Sequence, residues 1–306
     1  MNFVKNWKKM ICVSAAIVLV GLVVGIFAGG LNVGIDFTGG TLMTVDMGTA
    51  DYDMAVVEEA VLTYADSKAQ IVRTGNTTSN QTMANIRLSA LGDEAAENEQ
   101  RAQITDMIRK TYPETAVVSV DRVDGIASAD LIRNAILAVA IAAVLILIYI
   151  WIRFEFRSGV VAIAMLLHDV LIMMAFTCIL RIPVNSSFIA AILTIVGYSI
   201  NNTIVVFDRV RENSKNVMYL NKYREDIVNT SIKSSLGRSI NTTITTLVAV
   251  LLVFLLGNDS IREFALPIIV GLLAGTFSSI LLAAPIWTAW HMKEKENEKA
   301  KKNKAK

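Results

Sequence analysis

The sequence predicts a polytopic α-helical membrane protein. It should have six transmembrane helices and one extracytoplasmic α+β ferredoxin-like (βαββαβ) domain between helices one and two. Three observations carry that reading. First, 54% of the 306 residues are hydrophobic and only 18% are charged, which is too apolar for a soluble globular chain. Second, six apolar stretches reach or approach bilayer-spanning length: Met10–Ala28, Ile132–Ile152, Gly159–Leu180, Ser187–Phe207, Ile240–Leu256 and Phe264–Trp287. Third, the segment Gly29–Asp130 is polar and carries 16 acidic against 7 basic residues. The expected organisation is residues 1–28 (N-terminus and first span), 29–130 (outer domain), 131–290 (second to sixth spans, with an inner loop at 208–238) and 291–306 (a basic tail).

Lysine and arginine set the orientation. With both termini inside, the inner flanks hold 19 of them and the short outer loops hold Arg181 and Arg262, so the chain is expected to sit in the cell membrane N-in and C-in. Met10–Ala28 is long for a signal-peptide core and Gly29-Gly30-Leu31-Asn32 is a poor cleavage site, so it reads as a retained span. The acidic outer segment argues against nucleic acid as a partner. Cys12 and Cys178 both fall in apolar spans and read as small buried thiols, not a disulfide framework.

In the first span, Gly21, Gly25 and Gly29 recur every four residues, a stripe along which another helix can approach. Gly34-Ile35-Asp36-Phe37-Thr38-Gly39-Gly40 follows. Its glycines demand a tight backbone path where span meets domain, and it lacks the lysine of a phosphate loop. The domain then reads as strand Thr41–Met47, helix Asp53–Ala65 capped by Asp53, strand Gln70–Thr74, a turn cluster at Gly75–Asn80, strand Gln81–Ser89, helix Asp93–Thr111 ended by Pro113, and strand Thr115–Val123. That order is the split βαβ unit. With no His or Cys in it, the domain shows no catalytic or metal-ligating constellation, and no cofactor is expected.

The second and third spans are joined by the short link Arg153–Arg157 and form a hairpin. His168-Asp169 falls about 15 Å into the third span, near mid-bilayer. A carboxyl there is a candidate to take up a proton, or a hydrogen-bonded group fixing a helix contact. The fourth span carries Tyr198, Ser199, Asn201, Asn202 and Thr203, then the charged run Asp208, Arg209, Arg211 and Glu212. Amides in lipid are costly unless another helix or a wet cavity satisfies them, so this face should point inward, as helix glue or as an ion path. In the inner loop, Asn221–Ser235 reads as an interfacial helix. Arg238 precedes a threonine-rich fifth span (Thr242, Thr243, Thr245, Thr246), and Gly271 and Gly275 repeat the small-residue spacing in the sixth. The lysine-rich tail is expected to lie near anionic lipid.

Together these residues resemble the SecF family, the smaller subunits of the SecDF accessory complex, within the resistance–nodulation–division superfamily. The resemblance rests on Gly34–Gly40, with Gly34, Asp36, Gly39 and Gly40 as hinge and motif positions, on His168-Asp169-Val170, on Gly197–Asn202 with Val205–Asn213, and on Arg238 before the threonines. It implies a non-enzymatic role in late Sec-dependent preprotein export, driven by a proton or sodium gradient. It also implies SecD as partner, the SecYEG channel, YidC and YajC alongside, and the translocating preprotein and membrane lipids as contacts. Asp169, Asn202, Arg238, His168 and Asn201 become ion-path candidates. The family pattern usually has Asp where this chain has Asn202, and an amide does not titrate. Two other readings stay open: an exporter of lipids or small molecules built on the same layout, and a scaffold of the Sec complex without ion coupling.

Overall fold

In this computed structural model, the described residues are 2–49, 51–65, 69–74, 82–123, 125–215, 224–257 and 259–292. The turn cluster at Gly75–Asn80 and the tail from Lys293 lie outside them. Six helices are long and apolar enough to cross a membrane. They comprise α1 (Phe3–Phe27), α5 (Gly125–Arg153), α6 (Phe156–Ile179), α7 (Ser186–Lys215), α8 (Arg224–Leu256), and α9 (Asp259–Ser278) with its continuation through a π turn at Ser279–Ala283 to Met292.

Between α1 and α5 lie a short α2 (Ile35–Thr38), β1 (Gly40–Asp46), α3 (Met54–Tyr64), β2 (Gln70–Thr74), β3 (Met83–Ser89), α4 (Glu94–Thr111) and β4 (Ala116–Val123). The sheet is antiparallel in the order β2-β3-β1-β4, so the expected ferredoxin-like domain is present. Asp53 and Asp93 cap α3 and α4 by accepting from the N–H groups of Ala55 and Ala95. Met43, Val45, Ile86 and Leu88 of the sheet pack against Val57, Val61, Ile104 and Ile108 of the helices. The alternation of burial along β1 and β3 is the period of a sheet with one covered face.

Of the expected inner loop at 208–238, residues 216–223 lie outside the described ones. α7 continues past the apolar span to Lys215, and α8 is one helix from Arg224 to Leu256, so the described part of the expected interfacial helix Asn221–Ser235 runs unbroken into the fifth span. The two protruding segments hold each other. Asn213 donates to Ser231 at 2.9 Å, with both residues buried, and Arg209 Nε donates to Ser234 at 2.9 Å. The glycine stripe of α1 is shorter than expected. A Cβ on Gly21 would lie 2.5 Å from the Ala175 backbone and one on Gly25 3.3 Å from Cys178 Sγ, whereas Gly29 meets nothing and takes φ +78° in the turn. Cys12 is exposed on the outer face of α1, because the close packing on α6 uses the opposite face.

The domain is fastened to the bundle at several points. Val33 and Val184 form a parallel bridge, with Gly34 N–H donating to Val184 O and Val184 N–H to Asn32 O, both at 2.7 Å. Asp36 accepts from the N–H (2.8 Å) and hydroxyl (2.5 Å) of Ser186 at the start of α7. Arg87 of β3 reaches Glu263 of α9 at 3.1 Å, and Asn185 donates to the same carboxylate at 2.8 Å.

Candidate functional site

Three helices of the bundle converge on one carboxylate. Along α6, Met165, Leu166, Asp169, Ile172 and Met173 are buried, the three-to-four spacing of a helix face turned into a bundle. Asp169 is 0% exposed. Its Oδ2 accepts from the Ser199 hydroxyl of α7 at 2.5 Å and from the Ser278 hydroxyl of α9 at 2.9 Å, while its Oδ1 lies 2.9 Å from His168 Nδ1. Hydrogen bonds to an ionised acceptor are short and about twice as strong as neutral ones.

Gly275 makes this convergence possible. A Cβ there would stand 3.1 Å from Ser199 Cβ, so α7 and α9 approach closely and their hydroxyls reach one oxygen. The π turn begins immediately after Ser278, and such insertions frequently mark functional positions. Ser279 then lies 2.9 Å from the Thr203 hydroxyl and donates to Ser199 O at 3.4 Å. On the α8 side, the Thr243 and Thr276 hydroxyls are 2.7 Å apart. The result is a carboxylate held by two buried hydroxyls, with the separate hydroxyl pairs Thr203–Ser279 and Thr243–Thr276 on the neighbouring helices. That arrangement is chemically suited to accept a proton or to hold a small hard cation.

The other predicted residues divide between this cluster and other surfaces. His168 stacks on Phe277 with ring centroids 6.5 Å apart, and its Nε2 is buried with no partner among the described residues. Asn202 is buried one turn beyond Ser199, and its Nδ2 likewise has no partner among the described residues. Asn201 is exposed, so the polar face of the fourth span is split: adjacent positions on a helix point about 100° apart. Arg238 is exposed, and among the described residues no hydrogen bond joins it to Asn202 or Asp169. α8 turns Ser235, Ser239 and Thr243 to the bundle instead. Asp208, Arg209, Arg211 and Glu212 tie the helix ends away from the α+β domain: Arg153–Asp208 at 3.2 Å, Arg211 to Arg153 O at 2.8 Å, and Arg209–Glu212 at 2.7 Å. Gly34, Asp36, Gly39 and Gly40 lie at the domain–bundle junction. There Gly40 takes φ +151° and a Cβ would fall 2.2 Å from Leu88 O.

Sequence reasoning did not single out Ser278, Ser279, Asn185, Glu263 or Arg87. Paired serines inside the apolar sixth span were a usable signal, and Glu263 at its outer end was another.

Residues 103–293 match the family described as "Protein export membrane protein SecD/SecF, C-terminal", and residues 24–50 match "SecD/SecF GG Motif". The chain is 36% identical over 296 residues to a protein translocase subunit SecF from Rhodothermus marinus, covering 93% of this chain and 91% of that one. It is 36% identical to the protein translocase subunit SecDF of Bacillus subtilis over 98% of this chain but only 39% of that longer one. Among solved structures, SecDF from Thermus, described as a translocon-associated membrane protein, superposes with a TM-score of 0.75 at 32% identity, over 95% of this chain and 38% of that chain.

Proposed function

Because the chain belongs to the SecD/SecF family of protein export membrane proteins as a SecF-type translocase subunit, we propose that it works with a SecD partner in late preprotein export and couples ion movement at Asp169. The observation that carries the coupling is the set of three polar contacts, two hydroxyl donors from α7 and α9 and a ring nitrogen from α6, around one wholly buried carboxylate. A charge change there alters the contacts that hold α7 to α9. Of those helices, α9 carries Glu263, which pairs with Arg87 of the α+β domain and accepts from Asn185, the residue just before α7. An ion taken up at Asp169 would thus bias how the domain sits on the bundle, the element expected to face the emerging preprotein. The lysine and arginine asymmetry supports both termini lying inside.

Partnership with SecD draws support from the outer faces of α7 and α8. Thr194, Gly197 and Asn201 form an exposed stripe on α7, and Arg238, Asn241 and Thr245 form one on α8. Amides and a guanidinium facing lipid at this depth are costly, so a second bundle should cover them. The fused SecDF relatives carry additional chain beyond the part matched here. SecYEG, YidC and YajC would be neighbours of that assembly. Asn202 favours the scaffold reading as the second choice. The exporter reading gains nothing from relatives named as translocase subunits.

The test is preprotein translocation into inverted vesicles after the ATP-driven step is stopped, with and without a proton or sodium gradient. Asp169→Asn should abolish the gradient-dependent part. Unchanged gradient-driven export with Asp169→Asn would leave the scaffold reading standing.

A further inference from the structure

We propose that the inner end of the bundle, away from the α+β domain, holds a binding site for the headgroup phosphate of an anionic phospholipid. A cavity of about 390 Å³ opens there between the ends of α5, α7 and α8 and the last turns of the sixth span. Its wall carries four cations, Arg153, Arg211, Lys215 and Arg224, against one acid, Glu155. Arg153 is partly neutralised by Asp208 at 3.2 Å, and Arg211 donates to a backbone carbonyl, which cancels no charge. Lys215 and Arg224 pair with no carboxylate among the described residues. The Arg224 guanidinium lies 5.4 Å over the Trp287 ring. A cluster of this sign is unfavourable to hold together unless an anion shares it.

The second observation is independent of charge. Trp287 lines the cavity, is only 6% exposed, and its indole N–H has no acceptor among the described residues. A buried donor left without an acceptor costs free energy, and such groups are rare in native structures. The indole nitrogen itself has no accessible surface, so an oxygen acceptor in this cavity would reach it with a small shift of the Trp287 ring at the wall, and the surrounding cations select an anionic one.

The rest of the wall separates a lipid from a soluble phosphate. Phe207 and Val210 are buried apolar residues of the same cavity. Tryptophan at the end of a span sits at headgroup depth, and basic pockets between transmembrane helices at that level suit anionic headgroups. The ligand that fits is amphiphilic: phosphate oxygens on Arg224, Lys215 and Trp287 Nε1, with the glycerol end against Phe207 and Val210.

The experiment is native mass spectrometry of the full chain in detergent, incubated with phosphatidylglycerol, with phosphatidylcholine, or with inorganic phosphate. One phosphatidylglycerol should be retained in preference to phosphatidylcholine. Its occupancy should fall about fivefold for Lys215→Gln and similarly for Arg224→Gln, the weight of one cation near a membrane surface. Trp287→Phe should also lower it, while Lys233→Gln, on an exposed face outside the cavity, should leave it unchanged. Equal retention of both lipids would overturn the proposal, as would phosphatidylglycerol retention unaffected by Lys215→Gln. Displacement of phosphatidylglycerol by millimolar inorganic phosphate would overturn the lipid assignment in favour of a soluble anion. Lys215 is exposed at the end of α7, so its variant tests the site even where Trp287→Phe disturbs folding.

Discussion

The Ser199 hydroxyl donates to Asp169 Oδ2 at 2.5 Å, across the interface of the third and fourth membrane helices. The bond ties the most buried acid of the bundle to the helix that also begins at the domain junction, where Ser186 is held by Asp36. Ser278 shares the same oxygen from α9. One atom thus reports to two helices, and each of these helices is clamped near Glu263 at its end beside the α+β domain.

Ser199→Ala removes one of two donors to that oxygen and leaves Ser278 in place. The expected cost is about 1 to 3 kcal/mol, the range for leaving a buried polar group short of a partner. Thermal unfolding in detergent should show a lowered midpoint, with gradient-driven export reduced but present. Loss of export with an unchanged midpoint would mean that Ser199 acts on the ion and contributes little to stability.

Arg87→Ala should loosen the domain from the bundle. Arg87 and Glu263 are 14% and 11% exposed in their side chains, and breaking a buried pair by removing one partner costs about 3 to 5 kcal/mol. Faster hydrogen exchange along β3 is the expected readout. Adding Glu263→Gln removes the stranded charge and should recover part of the protection, since Asn185 can still donate to the amide oxygen. Additive losses in the double variant would contradict the pairing.

The α+β domain should have a weak acid dependence centred on Asp46. The Thr82 hydroxyl and then the Gly48 N–H hold its carboxyl below the usual range. A depressed folded pKa contributes stability above the unfolded value of about 3.9, and that contribution disappears as pH falls through the depressed value. Asp46→Asn should therefore lower the midpoint slightly at about pH 6, and the difference should shrink as the pH falls below the usual carboxylate range. A difference that grew with acidity would reverse the assignment.

The six spans and the βαββαβ order were legible because both rest on short-range periodicity, as in the alternation of Met43 and Val45 along β1. The inner ends of α7 and α8 were not. Charged residues at a helix end have the composition of a loop, and the Asn213–Ser231 bond that pairs the two helices joins residues on either side of the connection between them. Asp169 was identifiable as an acid in an apolar run. Its partner Ser278 was not, since hydroxyls inside apolar helices commonly bond back to their own turn, as Thr276 does to Leu272 O. Arg87 and Glu263 are 176 residues apart, and no local pattern links them.

Asn202→Asp tests whether the amide in the fourth span defines the coupling chemistry. Asn202 is 1% exposed, one helical turn from Ser199, and its Nδ2 has no partner among the described residues. A carboxylate there would share the hydroxyl cluster with Asp169. Two nearby carboxylates resist ionising together and take up a proton between them. The variant should therefore change how gradient-driven export depends on pH relative to the natural chain. The measurement is gradient-driven preprotein translocation as a function of pH, comparing the natural chain, Asn202→Asp, and Asn202→Asp with Asp169→Asn. Rescue of the Asp169→Asn defect by Asn202→Asp would show that the cluster needs one carboxylate, at either position. Failure of rescue would assign coupling to the oxygen that Ser199 and Ser278 hold.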